Sequence, residues 1–250
     1  HHKAVDKVNL HIKKGAIYGF IGRNGAGKTT CLKMISGLAR PTAGEIEMFG
    51  CKGKELERIR SRVGCLIEAP GLYGNMNAYT NLKIKCELFG IRKKGYIEDI
   101  LETVGLEGVG KKKTKHFSLG MKQRLGIGLA LVGEPDLLVL DEPINGLDPQ
   151  GIAEVRDTIQ RLRDERNMTI LISSHILEEL SKIATDYGII HNGSLLQELT
   201  SEELMKRCSE RIEIELVHPE QAVPILDRMG FTNYQVTDKS HIHILSLIHI

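Results

Sequence analysis

The stretch of sequence that decides the fold is Gly22-Arg23-Asn24-Gly25-Ala26-Gly27-Lys28-Thr29. It fits the phosphate-binding pattern G-x-x-x-x-G-K-[ST]. A short apolar run rich in β-forming residues, Ile17–Ile21, precedes it, and a segment of helical periodicity, Lys28–Leu38, follows it. Glycines let backbone N–H groups approach phosphates without a Cβ clash, and a helix start adds positive potential. The order of strand, loop and helix therefore predicts a site for the phosphates of ATP.

Two polar side chains of this loop have separate predicted roles. Lys28 supplies positive charge to the β- and γ-phosphates, and the hydroxyl of Thr29 can ligate Mg²⁺. We expect all residues from Gly22 to Thr29, together with Thr30, to take part in ATP binding. The alternative is a glycine-rich turn that fits the pattern by chance, and the flanking strand and helix disfavour it.

An acidic pair follows a second apolar run. Leu137–Leu140 is continuously aliphatic, as is typical of a strand covered on both faces of a parallel sheet. Asp141 and Glu142 come next, at the strand end where open α/β sheets bind ligands. Asp141 is predicted to hold Mg²⁺ through water. Glu142 is predicted to polarise the attacking water, a general-base contribution of about 10²–10⁴-fold in rate. Taken alone, the pair could also be a solvated acidic turn.

Strands and helices alternate along most of the chain, which predicts an α/β protein with a mostly parallel sheet in three layers. Further strands are predicted at Glu45–Phe49, Val63–Ile67, Thr169–Ile172, Tyr187–His191 and Ser194–Glu198. Further helices are predicted at Tyr79–Phe89, Tyr96–Val104, Ser118–Leu131, Ile152–Arg163 and Ile176–Ile183. Ser118 is the expected N-cap of its helix, because its hydroxyl can accept a free first-turn N–H.

The start of that helix carries a more specific signal, Phe117-Ser118-Leu119-Gly120-Met121-Lys122-Gln123-Arg124. By pattern alone it is only a capped helix start. Together with the other motifs it resembles the signature of the ATP-binding-cassette (ABC) family, usually Leu-Ser-Gly-Gly-Gln. Ser118 and Gly120 match that form, whereas Leu119 and Met121 depart from it.

Two further ABC motifs follow in the family's order. Asn145-Gly146-Leu147-Asp148 resembles the D-loop, and His175 after Ser173-Ser174 resembles the switch histidine. A lone histidine after a strand is more often structural, and it is the order of five motifs that favours a catalytic role for His175. The resemblance covers residues 4 to about 205.

The resemblance implies a P-loop NTPase three-layer fold with an antiparallel β subdomain and a helical signature subdomain at about 72–133, within a cassette at 1–207. It also implies that two cassettes face each other head to tail. Ser118, Leu119, Gly120 and Met121 of one copy, with Asp148, would then close on ATP held by the phosphate loop of the other. An isolated monomer is expected to hydrolyse ATP poorly.

The segment Ile67-Glu68-Ala69-Pro70-Gly71-Leu72-Tyr73 refines the resemblance. Most family members carry glutamine at the position of Glu68, where it contacts Mg²⁺ and water and relays to the membrane subunit. Bacterial exporters of bacitracin and lantibiotic-type peptides often carry Ile-Glu-Ala-Pro. The resemblance thus implies a catalytic and metal-binding role for Glu68, although a carboxylate adds negative charge near ATP. The alternative is a solvated loop residue.

The expected function is therefore ATP binding and hydrolysis that powers export of a peptide antibiotic through a separate permease, on the cytoplasmic face of the cell membrane. The alternative is a soluble ABC-type ATPase acting on ribosomes or DNA. Tandem cassettes or a long coiled-coil insertion would favour that alternative, and neither is found in the sequence. A plain P-loop kinase is disfavoured, because the signature and the switch histidine would have no task in it.

Composition narrows the possible partners. A net charge of +2 gives no electrostatic reason to expect nucleic acid. The basic run Lys111–Lys113 with Lys115 is read as a solvated loop, with a phosphate or headgroup contact as the alternative. The 5 cysteines form no CxxC pair, which disfavours metal binding and a disulfide framework. No apolar stretch approaches the roughly 18–20 residues that cross a bilayer.

Residues 208–244 are predicted to form a small α/β appendage that is incomplete. Apolar residues alternate with charged ones around Ile214, and Val223–Met229 is predicted to be a helix with Pro224 in its first turn. The last residues, Leu245–Ile250, match a translation of the transposon end used in sequencing-library preparation. We therefore exclude 245–250 from the fold and expect a fragment cut short at both ends.

Overall fold

The computed structural model describes residues 3–207, 211–216, 219–229, 234–236 and 241–245. The chain divides into two compact units, His1–Thr200 and Ser201–Ile250. The sequence placed this boundary after residue 207. In the structure the helix Ser201–Arg207 falls in the second of these units.

The described strands and helices alternate along the first unit, as the sequence predicts. In chain order the strands are β1 (Ile17–Ile21), β2 (Glu47–Met48), β3 (Cys51–Lys52), β4 (Val63–Leu66), β5 (Leu137–Asp141), β6 (Thr169–Ser174), β7 (Asp186–His191), β8 (Ser194–Thr200), β9 (Arg211–Glu215), β10 (Tyr234–Val236) and β11 (His241–Leu245). The α-helices are α1 (Lys28–Ile35), α2 (Ala78–Leu88), α3 (Tyr96–Thr103), α4 (Leu119–Leu131), α5 (Pro149–Arg166), α6 (Leu177–Ser181), α7 (Ser201–Arg207) and α8 (Pro219–Arg228). Segments of 3₁₀ helix span Gly53–Arg62, Glu107–Val109 and Thr114–His116.

A six-stranded sheet with the order β4-β5-β6-β1-β7-β8 forms the centre of the first unit. Its neighbouring strands are parallel except for the pair β7–β8, which is antiparallel. All residues of β5 and β6 are buried, which agrees with their continuous apolar runs. The predicted mostly parallel α/β sheet is confirmed. Since parallel strands end at the same edge, β1, β5 and β6 bring their carboxyl ends together.

One predicted strand is much shorter than expected. Instead of Glu45–Phe49, only Glu47–Met48 is strand, and it pairs antiparallel with Cys51–Lys52. The reason is the turn between them, where Phe49 and Gly50 have φ values of 52° and 76°. Positive φ at both central residues is the conformation of the tightest hairpin turns, so Phe49 leaves the strand.

The helices α2, α3 and α4 form the predicted helical region. Asn77 caps α2 by accepting the N–H of Thr80 at 2.8 Å. The guanidinium of Arg124 in α4 donates to the carbonyls of Val104 and Gly105 after α3. It also pairs with Glu154 of α5 at 2.9 Å. Arg124 thus ties the helix that begins at Ser118 to its two neighbours.

The packing of α4 on the sheet depends on a glycine in β4. A Cβ built on Gly64 would overlap the carbonyl oxygen of Ala130 in α4. No side chain fits there, and a backbone carbonyl cannot move aside without displacing the helix. Gly64 therefore sets the distance between strand and helix.

We expect Gly64→Ala to lower the free energy of unfolding by about 1–3 kcal/mol, the usual cost of overpacking a core. Chemical denaturation followed by circular dichroism measures the change. Gly108→Ala is the matched control, because a Cβ there meets nothing within 4 Å. Equal stability of the two variants would contradict the packing argument.

The described part of the second unit contains α7, α8 and a three-stranded antiparallel sheet with the order β10-β11-β9. Leu226 and Ile242 are buried, with Ile214 packed against them. The prediction that Pro224 lies in the first turn of its helix is wrong. Pro224 lies inside the helix because α8 begins earlier, at Pro219. Residues 208–210, 217–218, 230–233, 237–240 and 246–250 of the predicted appendage and tail lie outside the described residues. Among the residues that are described, none belongs to a helix long and apolar enough to cross a membrane.

Candidate functional site

The glycine-rich loop lies between β1 and α1, as predicted. Gly27 precedes the helix with a φ of 105° and makes no side-chain cap. A Cβ there would lie 2.5 Å from the carbonyl oxygen of Ala4, and a Cβ on Gly22 would lie 2.5 Å from that of Ile190. The first-turn N–H groups of a helix have no carbonyl partner within it. The loop thus combines a backbone without obstructing side chains with N–H donors that have no helix partner. This combination suits the oxygens of a phosphate chain.

Some side chains of the loop are exposed to solvent and others are buried. Arg23 and Asn24 are exposed, whereas Ala26 is buried. Lys28 is only 5% exposed. Its ammonium group donates to the carbonyl oxygens of Gly22 and Arg23 and thus lies within the loop. A buried cation surrounded by backbone donors is suited to a polyanion.

Two of the three predicted magnesium ligands, Thr29 and Asp141, lie together. The hydroxyl of Thr29 donates to Oδ2 of Asp141 at 2.8 Å, although 112 positions of sequence separate the two residues. Asp141 is 5% exposed. A hydroxyl and a carboxylate are the hard oxygen donors that Mg²⁺ takes, usually together with waters and substrate phosphates. The residues present therefore fit this ion.

Glu142 connects the phosphate loop with the histidine after β6. Its Oε2 lies 2.8 Å from Nδ1 of His175, and its Oε1 lies 3.1 Å from Nζ of Lys28. The contact with Lys28 is an ion pair without hydrogen-bond geometry, and Oε1 is buried with no hydrogen-bond partner. The backbone of Glu142 is left-handed, with a φ of 47°. The carboxylate is thus held next to the loop with an unused acceptor atom.

The signature segment and the D-loop lie against each other. Ser118 caps α4 by accepting the N–H of Met121 at 3.2 Å, which confirms the predicted cap. Asp148 caps α5 in the same way by accepting the N–H of Gly151 at 3.2 Å. A Cβ on Gly120 would lie 3.4 Å from Gly151, so the two helix starts approach closely. Leu119 of the signature is 46% exposed. In the described part of the chain, no hydrogen bond or ion pair joins this segment to the phosphate loop.

Glu68 makes its hydrogen bond to a residue outside this group. Its backbone is left-handed, with a φ of 64°. Its Oε1 lies 2.6 Å from Nζ of Lys33 in α1, and the side chain is 67% exposed. The hydrogen bond and charge of Lys33 lower the pKa of the Glu68 carboxyl from its ordinary value. Within the described residues, no hydrogen bond connects Glu68 with Thr29 or Asp141. The structure therefore places Thr29 and Asp141 together, whereas Glu68 pairs with Lys33.

Sequence reasoning overlooked one residue at this edge of the sheet. The hydroxyl of Ser173 donates to Oδ1 of Asp141 at 2.6 Å and accepts the N–H of Glu142 at 2.9 Å. Ser173 was noted only as a neighbour of His175. Ser173 and Ser174 are a polar pair at the end of a buried strand, and this pattern could have indicated a role for Ser173.

Comparison with known proteins agrees with this geometry. The profile of the family described as "ABC transporter" matches residues 5–145. The bacitracin transport ATP-binding protein of Bacillus licheniformis is 47% identical over 98% of this chain and 80% of its own length. The chain belongs to the ABC transporter family. It is an ATP-binding and ATP-hydrolysing subunit. The lantibiotic transport ATP-binding protein of Streptococcus pyogenes is 46% identical over 78% of this chain and 83% of its own length.

Solved ABC cassettes share the fold. An ATP-binding subunit of an ABC transporter is 29% identical, with a TM-score of 0.70 over 82% of this chain and 86% of that one. A dimeric cassette bound to ADP and Pi in a post-hydrolysis state has a TM-score of 0.70 over 79% of this chain and 90% of that one, at 24% identity. The second likeness concerns the fold alone.

Proposed function

We propose that this ABC subunit powers export of a peptide antibiotic through a separate permease and thereby protects the producing or exposed cell. The observation that carries the proposal is the position of Glu142, whose carboxylate contacts both Lys28 and His175 beside the pair of Thr29 and Asp141. The substrate class is supported by the relatives named for bacitracin and lantibiotic transport. The chain would act at the inner face of the cell membrane.

In the proposed mechanism each residue of the cluster has one task. The loop amides and Lys28 would bind the β- and γ-phosphates. Thr29 and Asp141 would hold Mg²⁺, which supplies neutralising charge at the phosphate oxygens. Glu142 would accept a proton from the attacking water, and His175, 2.8 Å away, would orient that carboxylate.

A second copy of the cassette would complete the site. The hydroxyl of Ser118 accepts the N–H of Met121, so its hydrogen remains available to donate. It lies at the start of a 13-residue helix, where the dipole favours an anion. Because no hydrogen bond or ion pair joins the signature to this chain's own phosphate loop in the described residues, we assign it to ATP held by the partner copy.

The permease would dock on an apolar groove of about 380 Å³ that flanks Glu68. Ile67, Pro70 and Tyr73 line it on the side of Glu68. Leu88 and Phe89 line it at the C-terminal end of α2. Leu88 is 80% exposed and Tyr73 56% exposed. Large apolar side chains grouped at a surface mark a protein contact. The pair of Glu68 and Lys33 would then report the contact to α1, the helix that follows the phosphate loop.

Affinity purification from detergent-extracted membranes tests the partner. We expect the full chain to bring down a multi-span protein and Leu88→Glu to lose it, because a charge cannot be buried in an apolar contact without a large cost. Leu196→Glu is the control, since Leu196 is 64% exposed but does not line the groove. Recovery of ribosomes or DNA in place of a membrane protein would favour the alternative of a soluble ABC-type ATPase.

A further inference from the structure

Ser173 lies at the point where the two acidic residues meet the rest of the sheet. It is fully buried in β6, and its Cα is the register partner of Asp141 in the parallel strand β5. Neighbours in register on adjacent parallel strands place their side chains on the same face. Its hydroxyl therefore faces the carboxylate of Asp141, to which it donates at 2.6 Å.

This bond completes the fixation of the Asp141 carboxylate. Oδ2 accepts the hydroxyl of Thr29 at 2.8 Å, and Oδ1 accepts that of Ser173. A carboxylate held through both oxygens cannot rotate freely about its terminal bond. Hydrogen bonds to an ionised acceptor are also the stronger kind. Ser173 thus decides in which direction the remaining lone pairs of Asp141 point.

The same oxygen acts on the next residue. Ser173 Oγ accepts the backbone N–H of Glu142 at 2.9 Å. Glu142 has a φ of 47°, a left-handed conformation that is unfavourable for a residue with a side chain. Such a conformation persists where surrounding contacts determine it. The N–H bond to Ser173 is one such contact, and it fixes where the Glu142 side chain leaves the strand.

The neighbouring serine makes a different set of contacts. Ser174 is also fully buried, yet its hydroxyl accepts the N–H of Ile176 at 2.9 Å, within its own loop. A local turn of that kind is the ordinary use of a serine before a helix. Ser173, by contrast, reaches across to another strand and bonds to both acidic residues.

We propose that Ser173 is a positioning residue of the ATPase site, which aligns the carboxylate of Asp141 for Mg²⁺ and the backbone of Glu142 for its base role. The proposal rests on the function proposed above. It assigns Ser173 no contact with substrate, so its effect is exerted through the two acidic residues.

The test compares Ser173→Ala with Thr169→Val. Thr169 lies at the opposite end of the same strand, and its hydroxyl accepts the N–H of Gly15 at 2.9 Å. Both changes remove a buried hydroxyl that accepts a backbone N–H, but only Ser173 lies at the ATPase site. A fluorescent ATP analogue is bound to chains that carry Glu142→Gln in addition to each change, and Mg²⁺ is titrated. Steady-state hydrolysis is measured with Glu142 intact.

We expect Ser173→Ala to raise the Mg²⁺ concentration for half-maximal binding by about tenfold and to lower kcat by about tenfold, the effect of one hydrogen bond to a charged group. Thr169→Val is expected to stay within about twofold in both measurements while losing comparable stability. Ser173→Cys keeps a side chain of similar volume but carries a weaker hydrogen-bond donor. Its Mg²⁺ dependence and kcat should lie between those of the parent chain and the alanine variant, and it replaces the alanine variant in the test if that variant does not fold.

Equal Mg²⁺ dependence and equal kcat in the Ser173 and Thr169 variants would overturn the proposal and leave Ser173 a packing residue. That outcome differs from failure of the proposed function. In the latter case Mg²⁺-dependent binding of the analogue would be absent from the parent chain itself, or would be unaffected by loss of Lys28.

Discussion

Replacing Lys28 with alanine is expected to reduce ATP affinity by at least about 100-fold. Lys28 is 5% exposed, and its ammonium group lies within the phosphate loop, where it would make charge-assisted bonds that contribute about 1.5–3 kcal/mol each. The substitution also removes the cation 3.1 Å from Glu142, so the remaining carboxylate would repel the phosphates. Isothermal titration with ATP and Mg²⁺ measures the loss.

Lys14→Ala is the matched control for that experiment, because Lys14 is an exposed lysine of the turn before β1. It should bind ATP as the parent chain does. Thermal unfolding of the Lys28 variant shows whether the fold is retained. Near-parental ATP affinity in a folded Lys28→Ala chain would remove the loop from the ATP site.

Glu142→Gln is expected to bind ATP and yet to turn over slowly, with kcat lowered by about 10²–10⁴-fold. Glutamine has the shape of glutamate but cannot accept the proton of the attacking water. It also removes a negative charge beside Lys28, so ATP affinity should not fall. Because hydrolysis releases the proposed partner copy, the variant should accumulate as a dimer with Mg-ATP. Phosphate release and light scattering after size exclusion measure the two effects.

Glu134→Gln provides the control. Glu134 also has a left-handed backbone, with a φ of 51°, but it lies on the surface near Lys93. Its replacement should leave hydrolysis unchanged. Undiminished ATPase activity in Glu142→Gln would remove Glu142 as the base and leave that role to another group.

Where the local sequence alone determines an element, its predicted bounds are accurate. β1 has the bounds Ile17–Ile21 that its apolar run predicted, and α4 begins after its cap at Ser118. Helix ends are less accurate. The predicted helix Ile152–Arg163 is Pro149–Arg166, since Asp148 caps it and Pro149 suits the first helical position. The positive φ of Phe49 was not foreseen, because aromatic residues rarely adopt it.

The sequence by itself determined the candidate residues for the chemistry, because glycine spacing, a lysine and an acidic pair after a buried strand are local patterns. Only the tertiary structure decided how they are oriented. Ser173 meets Asp141 because β5 and β6 pair in parallel register, and Glu68 pairs with Lys33 because its loop passes α1. Such contacts depend on how segments that are distant in sequence align with each other. The periodicity of side chains within one strand does not show in which register that strand pairs with its neighbour.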